Sequence, residues 1–148
     1  MKLEDSKINI KQKLSALWAS LMALYIYGDY FELYTPNKVP NLLESNNILD
    51  SPSKLFLAAL LLAIPALMIA MSVLLKPKFN RSLNIIFGSL LTLVVVLVGS
   101  TSISAWYGFY AFYALLEALI TISIVYMAWK WPKEGWSYLF NKTKVFRC

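Results

Sequence analysis

The chain has 148 residues, of which 59% are hydrophobic and 15% charged, whereas about 25% of the residues in a typical soluble domain are charged. The net charge of +6 comes from basic residues between and beyond long apolar runs, which indicates a membrane surface and argues against nucleic acid as a partner. The chain has no histidine and a single cysteine, Cys148, which excludes the usual zinc and haem sites, disulfide frameworks and histidine-based catalysis. We therefore expect one all-α membrane domain, residues 1–148, that is not an enzyme and holds no metal or cofactor.

The first predicted span covers residues 14–34 and follows a polar, basic N-terminal segment. Tyrosines crowd its second half, where Asp29 and Glu32 lie one turn apart. Pro36 ends the helix, because the residue before a proline avoids the helical region. The connection that follows, residues 35–53, is rich in Pro, Asn and Ser and carries two further acids. Together with Asp29 and Glu32, these two acids predict an acidic rim at the outer end of the protein. Asp29 is the deepest member of the rim and is a candidate site residue.

The second and third predicted spans cover residues 55–75 and 82–102, and a basic turn joins them. Pro65 lies at the centre of the second span, where it frees the backbone carbonyl four residues earlier and predicts a kink. In the third span, Gly88 and Thr92 are four residues apart, a pattern that lets another helix backbone approach closely.

The fourth predicted span, residues 105–131, carries Glu117 as its only charge between Ala105 and Val125. Glu117 falls near the bilayer midplane, where a carboxylate costs about 2.5–3.5 kcal/mol on the lenient insertion scales. It belongs to a polar stripe, repeating every three or four residues, that should face the interior of the bundle. The members of this stripe are Tyr110, Tyr113, Glu117 and Thr121.

No Lys or Arg is predicted at membrane depth to pair with Glu117, which leaves several uses for this acid open. It could be protonated and donate a hydrogen bond to a tyrosine, to Asn84 or to the carbonyl freed by Pro65, and so only hold helices together. It could instead meet water and bind a proton or a cation, since hydrocarbon disfavours an isolated charge. A contact with another subunit is a third use.

Lysine and arginine predict the orientation of the chain. Twelve of the fourteen lie in the N-terminal segment, in the turn at residues 76–81, or from Lys130 onward, and the other two are Lys38 in the long connection and Lys54 at its end. An even number of spans places both termini on one side of the membrane, and this bias places that side in the cytoplasm. Residues 132–148 mix aromatic and basic side chains, which predicts a tail that lies on the membrane surface.

Three segments resemble a family of small bacterial four-helix membrane proteins known chiefly as a domain of unknown function. They are IYGDYFELY at residues 26–34, NRSLNIIFG at residues 80–88 and LLEALITISIVYMAWKW at residues 115–131. The resemblance implies four spans in a bacterial inner membrane but no activity, and it draws attention to four residues: Asp29, Arg81, Asn84 and Glu117. Members of that family often carry an acid before the Ile-Pro pair of the second span, where this chain has Ala63.

We therefore expect a four-transmembrane-helix bundle in the plasma (inner) membrane. The favoured function is small proton- or cation-linked transport or conduction, with Glu117, Asp29, Tyr113, Tyr110, Asn84 and Thr121 as candidate site residues. The alternative is a non-catalytic scaffold or accessory subunit in which Glu117 is a structural hydrogen-bonder. The expected partners are the lipid bilayer and further copies of the chain, because four spans leave little room for a private pathway. No residue pattern identifies the substrate.

Overall fold

The structure is a computed structural model that describes residues 8–44, 48–101 and 105–132. The residues that it describes form helices and turns, with no strand among them. Within the described ranges, five α-helices and one 3₁₀ turn follow one another. Their bounds are α1 Ile10–Glu32, α2 Lys38–Leu43, α3 Pro52–Leu74, α4 Pro77–Thr101, the 3₁₀ turn Ala105–Tyr107 and α5 Gly108–Trp129. The predicted surface tail lies outside the described residues, apart from Pro132.

Polar caps fix where two of the long helices begin. Asn9 precedes α1, and its side chain accepts a hydrogen bond from the Lys11 backbone N–H at 3.1 Å, while its own N–H donates to Gln12 Oε1 at 3.3 Å. This capping box starts α1 four residues before the predicted span. Ser51 caps α3, with Pro52 in the first turn as its sequence predicts.

Two connections differ from the sequence-based expectation. The basic segment at residues 76–81 is not a turn, because α4 already begins at Pro77, whose fixed φ suits the first position of a helix. The long connection at residues 35–53 contains a further short helix, α2, preceded by Asn37 in the left-handed conformation with φ of 61°. Asparagine tolerates that conformation better than most residues, so it can reverse the chain there.

The four long helices pack side by side in alternating directions. Helix α1 packs along both α3 and α5, and α5 also packs along α4, whereas α3 and α4 contact one another only sparsely. The Lys11 ammonium donates to the carbonyl of Leu75 at 2.6 Å, and the Arg81 guanidinium donates to the carbonyl of Ala128 at 3.2 Å. The start of α1, the end of α3, the start of α4 and the end of α5 therefore meet at one end, called the basic end here. The opposite end, which carries Asp29 and Glu32, is called the acidic end.

The apolar core fills the half of the molecule nearer the basic end. Its fully buried members come from all four long helices: Leu14, Trp18, Leu21, Met68, Leu91 and Ile124. Most other large apolar side chains of α3, α4 and α5 point outward, which suits helices whose surroundings are hydrocarbon rather than water.

Three of the described helices are long and apolar enough to cross a membrane, judged by length and composition: α3, α4 and α5. Helix α1 is of similar length, but its tyrosines, its serines and Asp29 lower its mean hydropathy, and it is not among the three. The chain is thus an all-helical protein with membrane-compatible helices.

Candidate functional site

A cavity of about 120 Å³ lies between the four long helices, toward the acidic end. A buried water needs only about 10–15 Å³ of such volume, so the cavity has room for several waters. Its polar lining comes from α1 and α5 and consists of Tyr25, Asp29, Tyr110, Tyr113 and Glu117. Four of these five, all but Tyr25, are candidate site residues predicted from the sequence.

Glu117 is the most enclosed of the acidic groups at this cavity, with only 9% of the residue exposed. Its carboxyl group forms no hydrogen bond or ion pair with any residue that the structure describes, although it lines the cavity. The hydroxyl of Thr121 donates to the backbone carbonyl of Glu117 at 2.9 Å and leaves the carboxyl group untouched. A carboxyl group in this position meets whatever occupies the cavity.

Asp29 brings a second carboxyl group to the same cavity from α1. Within the described part of the chain, no Lys or Arg lines the cavity, although Lys38 lies near enough to Asp29 to interact with its charge. Glu32, one turn further along α1, is engaged elsewhere, since Lys38 Nζ lies 2.5 Å from its carboxylate. The predicted acidic rim is therefore divided: Asp29 belongs to the cavity, and Glu32 pairs with a lysine outside it.

Pro65 contributes to the cavity through the turn that precedes it. Helix α3 continues through Pro65, which is buried and has no N–H to donate to the carbonyl of Leu61. Leu61 and Leu62 both line the cavity. Leu61, whose carbonyl is freed, therefore lines the same cavity as Glu117. The Glu117 carboxyl group nevertheless forms no hydrogen bond with that carbonyl, which was one of the partners considered from the sequence.

Aromatic rings close the acidic end around the two tyrosines of α5. The ring of Tyr113 stacks on that of Phe31, with centroids 6.4 Å apart, and the ring of Tyr110 meets Phe109 edge-on at 6.0 Å. The first contact joins α1 to α5 and the second lies within α5, and both tyrosines line the cavity. The α5 stripe predicted at Tyr110, Tyr113 and Glu117 faces the interior in the structure.

A family model described as a family of unknown function, DUF6326, matches residues 1–137. The chain belongs to this family. The match covers every residue that the structure describes, including the whole cavity. Comparison with curated proteins and with solved structures finds no match. Because the DUF6326 family has no assigned function, what the cavity does must be inferred from its own side chains.

Asn84 is a candidate site residue predicted from the sequence, but it does not line the cavity. It belongs to a separate polar network nearer the basic end. Its Oδ1 accepts from Trp18 Nε1 at 2.7 Å and from Ser72 Oγ at 3.5 Å. Its Nδ2 donates to Asn80 Oδ1 at 2.6 Å, and Asn80 in turn donates to the carbonyl of Ser72. All four residues are fully buried. This network links α1, α3 and α4. The four-residue spacing of Asn80 and Asn84 was the one sequence signal that could have revealed it.

Thr121 also lies off the cavity, at the contact between α4 and α5. Its hydroxyl bonds only to carbonyls of its own helix, at Glu117 and Ala118. The backbone of Thr121 lies close to Gly88, where an added Cβ would be 3.7 Å from the Thr121 carbonyl oxygen. The close approach predicted at Gly88 is confirmed, and its partner is α5. Thr92, predicted on the same face, instead borders an outward-facing groove.

Arg81, to which the family resemblance drew attention, caps the end of α5. Its guanidinium donates to the backbone carbonyls of Ala128 and Trp129, at 3.2 and 3.4 Å. Lys11 does the same for the last carbonyls of α3, at Val73 and Leu75. A cation at a helix C-terminus donates hydrogen bonds to the free carbonyls and interacts favourably with the negative end of the helix dipole. Arg81 thus has a structural explanation that does not involve the cavity.

Proposed function

We propose that this protein is a small multi-pass membrane protein that binds a proton or a small cation at Glu117 and Asp29, as one step of transport or conduction and without covalent chemistry. The observation that carries the proposal is the cavity of about 120 Å³ in which the carboxyl group of Glu117, a residue that is only 9% exposed, has no partner among the described residues. Ionisable groups placed inside a membrane domain are costly, and they commonly mark ion or proton pathways.

The presence of two acids, Glu117 and Asp29, at one cavity supports a binding site for positive charge. Two carboxyl groups at one cavity, with Glu117 buried and Asp29 exposed, repel each other when both are ionised, so capture of a proton or a cation relieves that repulsion. The three phenols that line the cavity add oxygen atoms and aromatic faces, both of which attract cations.

Helix α1 is proposed as the fourth span. Its 23 residues would measure about 34 Å at 1.5 Å per residue, similar to the hydrocarbon core, which is about 30 Å thick. It runs alongside α3 from the Lys11 contact to the cavity, so α1 would cross with α3 if α3 spans the bilayer. Lysine and arginine concentrate at the basic end, and we propose that this end and both termini face the cytoplasm of a plasma (inner) membrane.

The alternative, a non-catalytic scaffold in which Glu117 holds helices together, requires a hydrogen bond from its carboxyl group. The tyrosines, Asn84 and the carbonyl of Leu61 form none with it. Asn84 in fact serves a different network, with Trp18 and Ser72. These observations favour a carboxyl group that meets water or a cation. Homo-oligomers remain our expectation, because four spans leave little room for a private pathway, although the cavity itself lies within one chain.

The proposal is tested by proton flux into proteoliposomes that contain a trapped pH-sensitive dye and are driven by an imposed pH gradient. Glu117→Gln keeps the size of the side chain and its ability to hydrogen-bond but removes the exchangeable proton, and we expect flux to fall at least tenfold. The matched control is Glu32→Gln, since Glu32 is an acid on the same protein whose carboxylate pairs with Lys38 outside the cavity. If Glu117→Gln carried as much flux as the wild type, the proposed function would be wrong and the scaffold role would stand.

A further inference from the structure

The lining of the cavity is polar on one side and aliphatic on the other. The acids and phenols come from α1 and α5, as described above. The side formed by α3 and α4 is aliphatic, and its large residues are Leu61, Leu62, Leu91, Val94, Val95 and Val98. A site for a bare ion or for water alone would not need such a hydrocarbon wall, because ions are held by oxygen ligands on several sides.

The aliphatic side is also the side where the helices are least closely packed. Helix α1 packs along α3 and α5, and α5 packs along α4, but α3 and α4 contact one another only sparsely. At that seam Leu62 and Val98 line the cavity and are also 37% and 40% exposed. In a membrane, exposed side chains on these two apolar helices would face lipid hydrocarbon. The seam between α3 and α4 therefore offers an apolar route from the bilayer to the cavity.

We infer that the cavity takes an amphipathic ammonium compound, with its charged head at Glu117 and Asp29 and its hydrocarbon tail in the seam between α3 and α4. This inference rests on the proposed function, because it names the class of cation that the same site binds. The ligand reaches the site sideways, from the hydrocarbon of the bilayer.

Three features of the cavity select this class of ligand. Two carboxyl groups in a cavity whose described lining contains no lysine or arginine favour a positive head over a neutral or negative one. The aromatic rings of Tyr25, Tyr110 and Tyr113 suit an ammonium group, which binds to the faces of such rings. The volume of about 120 Å³ is far below the ~300–1,000 Å³ of pockets that enclose a drug-sized ligand. Only the head is enclosed, and the tail must occupy the seam.

The inference is tested by equilibrium binding of radiolabelled alkyltrimethylammonium ions, with tails of one to six carbons, to the full chain in lipid nanodiscs. Empty nanodiscs measure partition into lipid, which is subtracted. We expect affinity to rise about fourfold with each added methylene while the tail fills the seam, the value for transfer of one methylene from water. A neutral analogue of the six-carbon ion, with carbon in place of nitrogen, should bind at least tenfold more weakly.

Two variants locate the two ends of the ligand. Glu117→Gln should weaken binding of the six-carbon ion at least tenfold, whereas Glu32→Gln should not change it. Val94→Phe places a larger side chain in the seam and should remove the dependence on tail length. Glu117→Asp keeps the charge and should keep most of the binding, which separates loss of charge from misfolding. Elution as a single symmetric species is required of each variant.

Affinity that does not depend on tail length, or binding that survives in Glu117→Gln, would overturn the inference. The result also separates this inference from the proposed function. Proton flux that requires Glu117, without binding of any alkylammonium ion, would refute the ligand class and leave the proposed function intact. Binding that requires Glu117, without proton flux, would keep the ligand site and refute proton conduction.

Discussion

The buried network around Asn84 provides the sharpest test of how the helices are held together, and the change is Asn84→Leu. Leucine has a similar volume, so it leaves little cavity, but it can form none of the hydrogen bonds. The variant leaves Trp18 Nε1 without its acceptor at 2.7 Å and Asn80 Oδ1 without its donor at 2.6 Å. Both of those residues are fully buried, so water does not replace the lost partner.

The expected cost follows from these two short hydrogen bonds. Side-chain hydrogen bonds between membrane helices are worth about 0.6 kcal/mol on average and at most about 1.7 kcal/mol. Of the other two contacts, the one from Ser72 at 3.5 Å is too long to add much, and the one from Asn84 Nδ2 to the Asn80 carbonyl at 2.9 Å lies within α4. Two bonds therefore predict that Asn84→Leu lowers the free energy of unfolding by about 1–3 kcal/mol.

The assay is unfolding in dodecyl maltoside micelles by titration with sodium dodecyl sulfate, followed by helical circular dichroism. Ser123→Ala is the matched control, because the Ser123 hydroxyl is exposed and bonds only to the Leu119 carbonyl of its own helix. It should change stability by less than about 0.5 kcal/mol. A double-mutant cycle with Trp18→Phe should give a coupling energy of at least about 0.5 kcal/mol. An Asn84→Leu variant as stable as the control, or zero coupling to Trp18, would refute the reasoning.

Two further predictions concern packing and topology. In Gly88→Ala the new Cβ would lie 2.8 Å from a Val125 methyl group, so the free energy of unfolding should fall by about 1–3 kcal/mol in the same titration. The control is Gly108→Ala, which has no atom within 4 Å of its new Cβ and should lose less than about 0.5 kcal/mol. Equal losses in the two variants would contradict the close packing of α4 on α5. In intact cells a membrane-impermeant maleimide should label a cysteine introduced at Ser53 but not the native Cys148, and labelling of both would contradict four spans with a cytoplasmic C-terminus.

Much of the fold follows from the sequence because it depends on local signals. The apolar runs fixed the existence of the long helices, and Ser51 with Pro52 marked the start of α3 as predicted. The start of α4 was placed five residues late, because the basic residues of the 76–81 segment suggested a turn although Pro77 is a good first helical residue. Helix α2 was missed, since a six-residue helix among Pro and Asn has no periodicity to detect.

The site could be predicted only in part, because periodicity tells which residues share a face but not what that face meets. The spacing of Tyr110, Tyr113 and Glu117 predicted an inward stripe, and the structure confirms it. Asn84 shows the limit. Its partners Trp18 and Ser72 lie on other helices, far away in the sequence, and no local pattern connects them. For the same reason the sequence could not show that Asp29 and Glu117 share one cavity.

The proposed function requires that Glu117 face a wetted cavity inside the membrane domain. Its most direct test is the rate at which a small, cationic methanethiosulfonate modifies a cysteine placed at Glu117, in a Cys148→Ser background that removes the only native thiol. The comparison is a cysteine at Leu119, which is 55% exposed on the same helix and does not line the cavity. Only the ionised thiolate reacts, and it needs water. We predict that the cysteine at position 117 reacts at least tenfold faster than the one at position 119. Equal rates, or a faster reaction at position 119, would contradict the account.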